Sequence, residues 1–436
     1  TYTTFQARDL GGDTALLALL RKRPNQAVCR FTLARSSLFD EAHYRAQLDP
    51  VEAMEGDAIG HYLANGVYRG LWPHSAFDPL AYWAANRDVL DAGVEPFFHY
   101  LSAGALDDRP RRPAAMGGAT SASQPDGMRW VVLNRMRIDW RQLAAKTVRK
   151  PLVSVVIPVL DQPALTRACL ESLVTTDAGA AFEIVCVDNG SGPETALVLA
   201  QFQQAHSAPC RIVTLAFNHQ FALGCNLGFA QARGEVVVFL NNDTIVTPGW
   251  LGALVRPLQD PAVVAVQPRL LFPDGTVQCA GVVFSDRQDL GYPLYAGRPG
   301  DDACVNHARD LQAVTAACVA VRAADFARCQ GFDPLFINGQ EDVDLCLRLA
   351  AAPGQLCRYE PASTVLHHEG RSANRYAHAR ANRRAFIDRW RGRIRADDSQ
   401  HYAADGFTVD SYQADSAANE ALGVAVYRPV LASTAP

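Results

Sequence analysis

The chain has 436 residues, 49% of them hydrophobic, enough apolar material for two or three cored domains at about 150 residues each. Its formal net charge of -4 gives no electrostatic footprint for nucleic acid. Eleven cysteines are scattered from Cys29 to Cys357 without a C-x-x-C pair or a leader ahead of them, and no apolar run approaches the ~18 residues of a spanning helix, so reduced thiols, a cytoplasmic location and at most peripheral contact with the inner membrane face are expected.

The chain starts at Thr1, without methionine, and is read as a piece of a longer protein carrying further domains. Phe39-Asp40-x-x-x-Tyr44 returns as Phe77-Asp78-x-x-x-Tyr82, and His61-Tyr62-Leu63-x-x-Gly66 returns as His99-Tyr100-Leu101-x-x-Gly104, both at an offset of 38. A period of that length marks stacked helix pairs, with the recurring aromatics and histidines serving packing. Residues 1–113 are therefore expected to form a small all-α repeat module. Small and polar residues from Ala114 predict a linker over 114–150.

From Pro151 strand and helix signals alternate. Strand-like runs lie at 153–157, 183–187, 211–215, 236–240, 263–267 and 318–321, with helical patterns near 163–174, 193–206, 222–232, 249–258 and 341–352. This order predicts an α/β domain over 151–395, with a mostly parallel sheet and helices on both faces. Residues 396–436 are weakly patterned and are expected to be irregular or to lead into another domain.

In such a sheet, ligands bind beyond the carboxyl ends of the strands. The run Glu235-Val236-Val237-Val238-Phe239-Leu240 empties into Asn241-Asn242-Asp243, which makes Asp243 a candidate metal ligand or, more plainly, a turn former. The run ending at Val187 empties likewise into Asp188-Asn189-Gly190, where a carboxylate can accept a base N–H or simply shape a turn. Glu341 and Asp342 open an apolar-periodic helix, where acids complement the helix dipole and the dipole in turn keeps a base ionised. No G-x-G-x-x-G follows the first strand, which disfavours a dinucleotide oxidoreductase.

Taken in order, Pro158, Asp188, the segment Asn218-His219-Gln220-Phe221-Ala222-Leu223-Gly224-Cys225-Asn226-Leu227-Gly228, Asn241-Asn242-Asp243, Gly331-Phe332-Asp333 with Glu341-Asp342-Val343-Asp344, and Val365-Leu366-His367-His368 resemble the family 2 glycosyltransferases of the GT-A fold, especially bacterial rhamnosyltransferase-like members. The resemblance implies that Pro158, Asp188, Asn226, Asn241 and Asn242 line the pocket of a nucleotide-diphosphate sugar, dTDP- or UDP-linked. It places Mn2+ or Mg2+ on Asp243 and His367, and the catalytic base on Asp342 with Glu341 beside it as an acceptor contact or structural neighbour. Two positions depart from the family pattern: Asn241 replaces the first acid of D-x-D, and Gln220 stands where glycine is usual.

The implied reaction is inverting sugar transfer to a glycan or lipid-linked glycan acceptor in bacterial surface polysaccharide synthesis, without a nucleic-acid partner. One Asp and one His leave the remaining coordination positions to diphosphate oxygens and water. Nine arginines between Arg371 and Arg395 add a candidate grip for phosphates. Two rivals share the sheet: a degenerate scaffold of an assembly complex, and a sugar nucleotidyltransferase. The latter needs a glycine-rich phosphate loop after the first strand, which Pro158-Val159-Leu160-Asp161-Gln162-Pro163 does not supply.

Overall fold

Val153, Val155, Val156, Ile157 and Val159 are each 5% exposed or less, so both alternating faces of their strand are covered, as in a sheet packed between helices. The computed structural model describes residues 26–48, 53, 56–67, 71–86, 88–89, 92, 94–105, 107, 109, 128–146, 150–206, 209–215, 217–368, 377–415 and 426–433. They divide into two compact units, 1–137 and 138–436.

The larger unit is the expected α/β architecture. Its strands are β1 Lys150–Val159, β2 Phe182–Asp188, β3 Cys210–Thr214, β4 Gly234–Leu240, β5 Thr244–Val246, β6 Val263–Leu271, β7 Val277–Cys279, β8 Val282–Val283, β9 Tyr292–Pro293, β10 Arg309–Leu311, β11 Cys318–Arg322, β12 Leu356–His367, β13 Phe407–Ala414 and β14 Tyr427–Ser433. The main sheet runs β10-β12-β6-β11-β4-β1-β2-β3, with β5 on β12 and β7 on β6. The pairs β3-β2, β2-β1, β1-β4 and β6-β12 are parallel.

The strand expected at 318–321 lies in this sheet but runs antiparallel to both neighbours, β4 and β6. Its reversal follows from where the chain arrives. After β6 the chain makes an excursion over 272–317 at the carboxyl edge and re-enters from that edge, so Cys318 faces Leu240, the last residue of β4. β12 escaped the sequence reading, because its Glu360-Pro361-Ala362-Ser363 centre breaks the apolar run at a register shift against β6.

Two further differences remain. Part of the span expected as a linker is helical: Met128–Arg137 belongs to the smaller unit, and Trp140–Ala145 belongs to the larger, where Trp140 stacks on Phe229 with centroids 6.0 Å apart. Beyond 396 the described residues are regular: a helix Asp398–Ala404 precedes the antiparallel pair β13-β14. It is anchored by Tyr292 Oη donating to Asp398 Oδ2 at 2.6 Å and by Tyr295 edge-on to Tyr402 at 5.3 Å. Paired tyrosine and aspartate positions give no apolar period, which is why the tail reads as featureless in sequence.

In the smaller unit, residues 38 apart hold matching places. Asp40 caps Glu41–Arg45 and Asp78 caps Pro79–Ala85, while Asp57 and Glu95 cap Ala58–His61 and Pro96–His99. Tyr44 Oη meets His61 Nδ1 at 2.7 Å, and Tyr82 Oη meets His99 Nδ1 at 2.9 Å. Each second helix continues in π geometry to its glycine, over Tyr62–Gly66 and Tyr100–Gly104. A Cβ at Gly66 or Gly104 would fall inside the van der Waals radius of the Tyr44 or Tyr82 hydroxyl. Gly104→Ala is therefore expected to cost about 1–3 kcal/mol by overpacking, seen as a lower thermal midpoint of this unit, and Tyr82→Phe in the same chain should recover part of it. An unchanged midpoint in Gly104→Ala would show that the ring moves aside freely.

Candidate active site

The parallel strands and the reversed β11 deliver the predicted residues to one edge. At the end of β4, Asn241 N–H donates to Ala317 O at 3.0 Å, which joins the Asn241-Asn242-Asp243 turn to the loop that enters β11. Asn242 Nδ2 donates to Thr166 Oγ1 at 2.8 Å, and Thr244 Oγ1 donates to Asn241 O at 2.7 Å, so two hydroxyls fix the turn. Beneath it the Cys169 thiol is buried, which pushes its pKa up to about 12 and leaves it without thiolate character.

β5 then pairs with the end of β12, Thr244 opposite His367, and this register carries the histidine to the turn. His367 Nε2 lies 3.1 Å from Asp243 Oδ1 and 3.2 Å from Asn241 Nδ2, while Nδ1 lies 2.7 Å from Gln278 Oε1. The ring is 4% exposed. Gln278 Oε1 can only accept, so the ring carries a proton on Nδ1, and the single Nε2 lone pair of the neutral ring is left between Asn241 Nδ2 and the Asp243 carboxylate. Two converging lone pairs repel each other unless a cation lies between them. A separation of 3.1 Å suits two ligands at right angles on an octahedral ion with bonds of about 2.1 Å. The residues present thus fit a divalent cation, as a two-point site to be completed by other donors; among the described residues no cluster of three His, Cys, Asp or Glu side chains adds a protein ligand.

The helix Glu341–Leu349 begins at the same edge, and its three first-turn acids have separate fates. Asp344 is fully buried and accepts from Arg348 Nε at 2.7 Å, Arg389 Nη1 at 2.7 Å and Trp390 Nε1 at 3.0 Å. Glu341 is buried and folds back, its Oε2 accepting from Gly339 N–H. Asp342 is half-buried. Its Oδ2 accepts from Ala316 N–H at 3.2 Å and its Oδ1 from Val343 N–H at 2.8 Å. The Asp342 carboxylate therefore hangs on the residue next to Ala317, which holds Asn241.

At the other strand ends, Asp188 is buried at the tip of β2 with Oδ1 held by Ser191 N–H at 2.9 Å. Asn189 accepts from His219 N–H at 2.7 Å and donates to Asn218 Oδ1 and Gln220 O, tying the loop before the helix Gln220–Gln231 to β2. Gln220 takes φ +62°, the region that favours glycine, and its Oε1 accepts from Asn338 Nδ2 at 3.2 Å. Side-chain hydrogen bonds at Asn218 and Asn338 thus hold a conformation that glycine would adopt unaided.

Two of the expected pocket residues stand elsewhere. Asn226 is fully buried, with Oδ1 accepting from Phe332 N–H at 3.0 Å and Nδ2 donating to Phe332 O at 2.8 Å; it clamps the 331–332 turn instead of facing a cleft. Pro158 is buried within β1 opposite Val187, a packing position. The arginines also divide. Arg371 and Arg375 lie outside the described residues, Arg389 bridges Asp333 and Asp344 at 2.7 Å each, and Arg383 pairs with Asp289 at 3.0 Å. That last pair borders a cleft of about 320 Å³ lined by Phe284, Asp286, Trp390 and Tyr427, to which neither Asp243 nor Asp342 contributes.

Residues 154–299, from β1 through the Asn241-Asn242-Asp243 turn to beyond β9, match the model of glycosyl transferase family 2. That stretch is similar to a family 2 glycosyltransferase domain. Among curated relatives, the chain is 38% identical over 237 residues to the O-antigen biosynthesis protein RfbC of Myxococcus xanthus, covering 52% of this chain and 18% of that protein. It is 37% identical over 113 residues to an undecaprenyl-phosphate 4-deoxy-4-formamido-L-arabinose transferase of Pseudomonas aeruginosa, covering 24% and 32%. The chain thus spans less than a third of these relatives' own length. Among solved structures, a mannosyltransferase from Pyrobaculum calidifontis in complex with GDP-Man and Mn2+ overlaps 64% of this chain and 72% of its own, with a TM-score of 0.40 and 19% identity. The family match ends at residue 299, ahead of Asp342 and His367.

The sequence reading missed the groups that hold these side chains: Gln278, Thr166 and the backbone of Ala316 and Ala317. Backbone N–H and C=O groups leave no trace in residue types, and a lone glutamine or threonine has no period to betray it.

Proposed function

We propose that this glycosyltransferase domain transfers a sugar, with inversion, from a nucleotide-diphosphate donor to a hydroxyl of a glycan or lipid-linked glycan in bacterial surface polysaccharide assembly. A dTDP- or UDP-linked donor, and a deoxyhexose such as rhamnose, are the choices that the motif resemblance favours; the likeness to an O-antigen biosynthesis protein supports the pathway. The observation that carries the reading is the pairing of Asp243 with His367 at 3.1 Å, in a turn hydrogen-bonded to the same loop that holds Asp342.

Asp342 takes the proton of the acceptor hydroxyl as its oxygen attacks the anomeric carbon from the side opposite the diphosphate. The bond from that carbon to the phosphate oxygen breaks, and the nucleotide diphosphate leaves with the electron pair. A divalent cation bound at Asp243 and His367 supplies the charge neutralisation that this leaving group requires. Asp342 stands in the first turn of the Glu341–Leu349 helix, with its carboxylate placed to act as base. Asp188, at the tip of the neighbouring strand, is placed to accept from a base N–H. No helix among the described residues is long and apolar enough to cross a membrane, so the domain meets any lipid-linked acceptor through a surface.

Thermal unfolding against UDP, dTDP, GDP and their sugars, with and without Mn2+, tests the reading. A ligand at 100 times its Kd adds about 2.7 kcal/mol to the folded state, which for a domain of this size raises the midpoint by several degrees. One nucleotide should do so, and only with Mn2+. Silence across the panel with a folded protein would remove the donor assignment.

A further inference from the structure

β7 pairs with the end of β6, Leu270 opposite Cys279 and Leu271 opposite Val277. Two residues of β6 thus face three of β7, and the extra one is Gln278. Bulges bend a strand and re-aim the side chain of the extra residue, and they gather beside active sites. Here the bulged side chain is 7% exposed and its Oε1 meets His367 Nδ1 at 2.7 Å. The bulge is braced in its turn: Gln267, fully buried on β6, donates from Nε2 to Cys279 O at 2.9 Å and accepts from Thr315 N–H at 3.0 Å.

We infer that Gln278 is a positioning residue for His367, holding the ring in the Nδ1–H tautomer with the Nε2 lone pair aimed at the point that Asp243 Oδ1 also faces. The inference rests on the cation reading of the pair given above. A histidine ligand needs its second nitrogen fixed, because a free ring rotates about its side-chain bonds and divides between two tautomers, only one of which offers Nε2. Gln278 supplies that fixed partner from the short strand β7. The bulge is what brings it there, since Val277 and Cys279 on either side are buried in the apolar core.

The test uses the full chain and two readouts. Ring-15N-labelled histidine resolves the tautomer of His367, assigned by its loss in His367→Ala, and free-ion EPR measures the affinity for Mn2+ alone. The wild type should show the Nδ1–H tautomer. Gln278→Leu, similar in size but without an acceptor, should give a tautomer mixture and 10- to 100-fold weaker Mn2+ binding, the usual cost of losing an outer-shell partner. Gln278→Glu keeps an acceptor at the same reach and should restore the tautomer, with Mn2+ affinity at or above that of the wild type. If Gln278→Leu does not fold, Gln278→Met replaces it. An Nε2–H ring in the wild type, or a Leu variant with wild-type tautomer and affinity, overturns the role of Gln278 while leaving the cation site standing. If His367→Ala binds Mn2+ as the wild type does, the cation reading itself fails, and the role of Gln278 with it.

Discussion

Asp342→Asn should leave donor affinity within about two-fold of the wild type and lower turnover by roughly 10²- to 10⁴-fold, the range for loss of a general base. Asparagine keeps the size of the side chain, and its Oδ1 still accepts from a backbone N–H at Ala316 or Val343. Only basicity is lost. Glu341→Gln should do less, because Glu341 is buried and its carboxylate closes on Gly339 N–H; its effect should fall on stability through the start of the helix. Steady-state transfer and donor titration of the two variants separate these outcomes. Turnover near wild type in Asp342→Asn together with a dead Glu341→Gln would exchange the two roles. Activity in both would remove the base from this helix altogether.

Chelation with EDTA should abolish transfer, and Asp243→Ala should weaken donor binding in the presence of Mn2+ by more than the 10- to 100-fold that loss of an outer-shell partner costs. Without metal, the same substitution should leave donor affinity unchanged or raise it slightly, because a carboxylate without an ion only repels the diphosphate. His367→Ala should follow the same pattern to a smaller degree, since water can replace a neutral imidazole in the shell. Donor affinity measured by calorimetry with and without Mn2+ for the three proteins decides the matter. Equal affinity in the wild type under both conditions would sink the metal site, whatever Asp342 does.

How legible the site was in the sequence depended on the kind of residue. Asp188, Asp243 and Asp342 stand at the ends of apolar runs or the start of a periodic helix, and those signals carry them to one edge of the sheet. His367 was placed by family resemblance, because β12 is interrupted at Glu360-Pro361-Ala362-Ser363 and its terminus has no local mark. Pro158 and Asn226 belong to the same motifs yet serve the core, since nearness in sequence to a functional residue does not say which face of the strand or helix a side chain takes. Parallelism of the sheet was legible from the alternation of elements, whereas the reversal of β11 was not. It depends on the long excursion before that strand, which has no periodic signature of its own.

The reversal of β11 has a consequence for the geometry of the proposed reaction. Because the strand enters from the site edge, two adjacent residues of its entry loop tie the two sides of the site together: Ala317 O holds Asn241 N–H, and Ala316 N–H holds Asp342. The loop works as a caliper. In the proposed reaction, the span between the Asp243 turn and the Asp342 carboxylate is set by this short stretch of backbone and not by side chains on either jaw. The span would then stay the same whatever sugar lies between, and selection among sugars would fall to the walls of the cleft. Lengthening this loop by one residue would open both jaws together, and no substitution at Asp342 or Asp243 could restore the gauge.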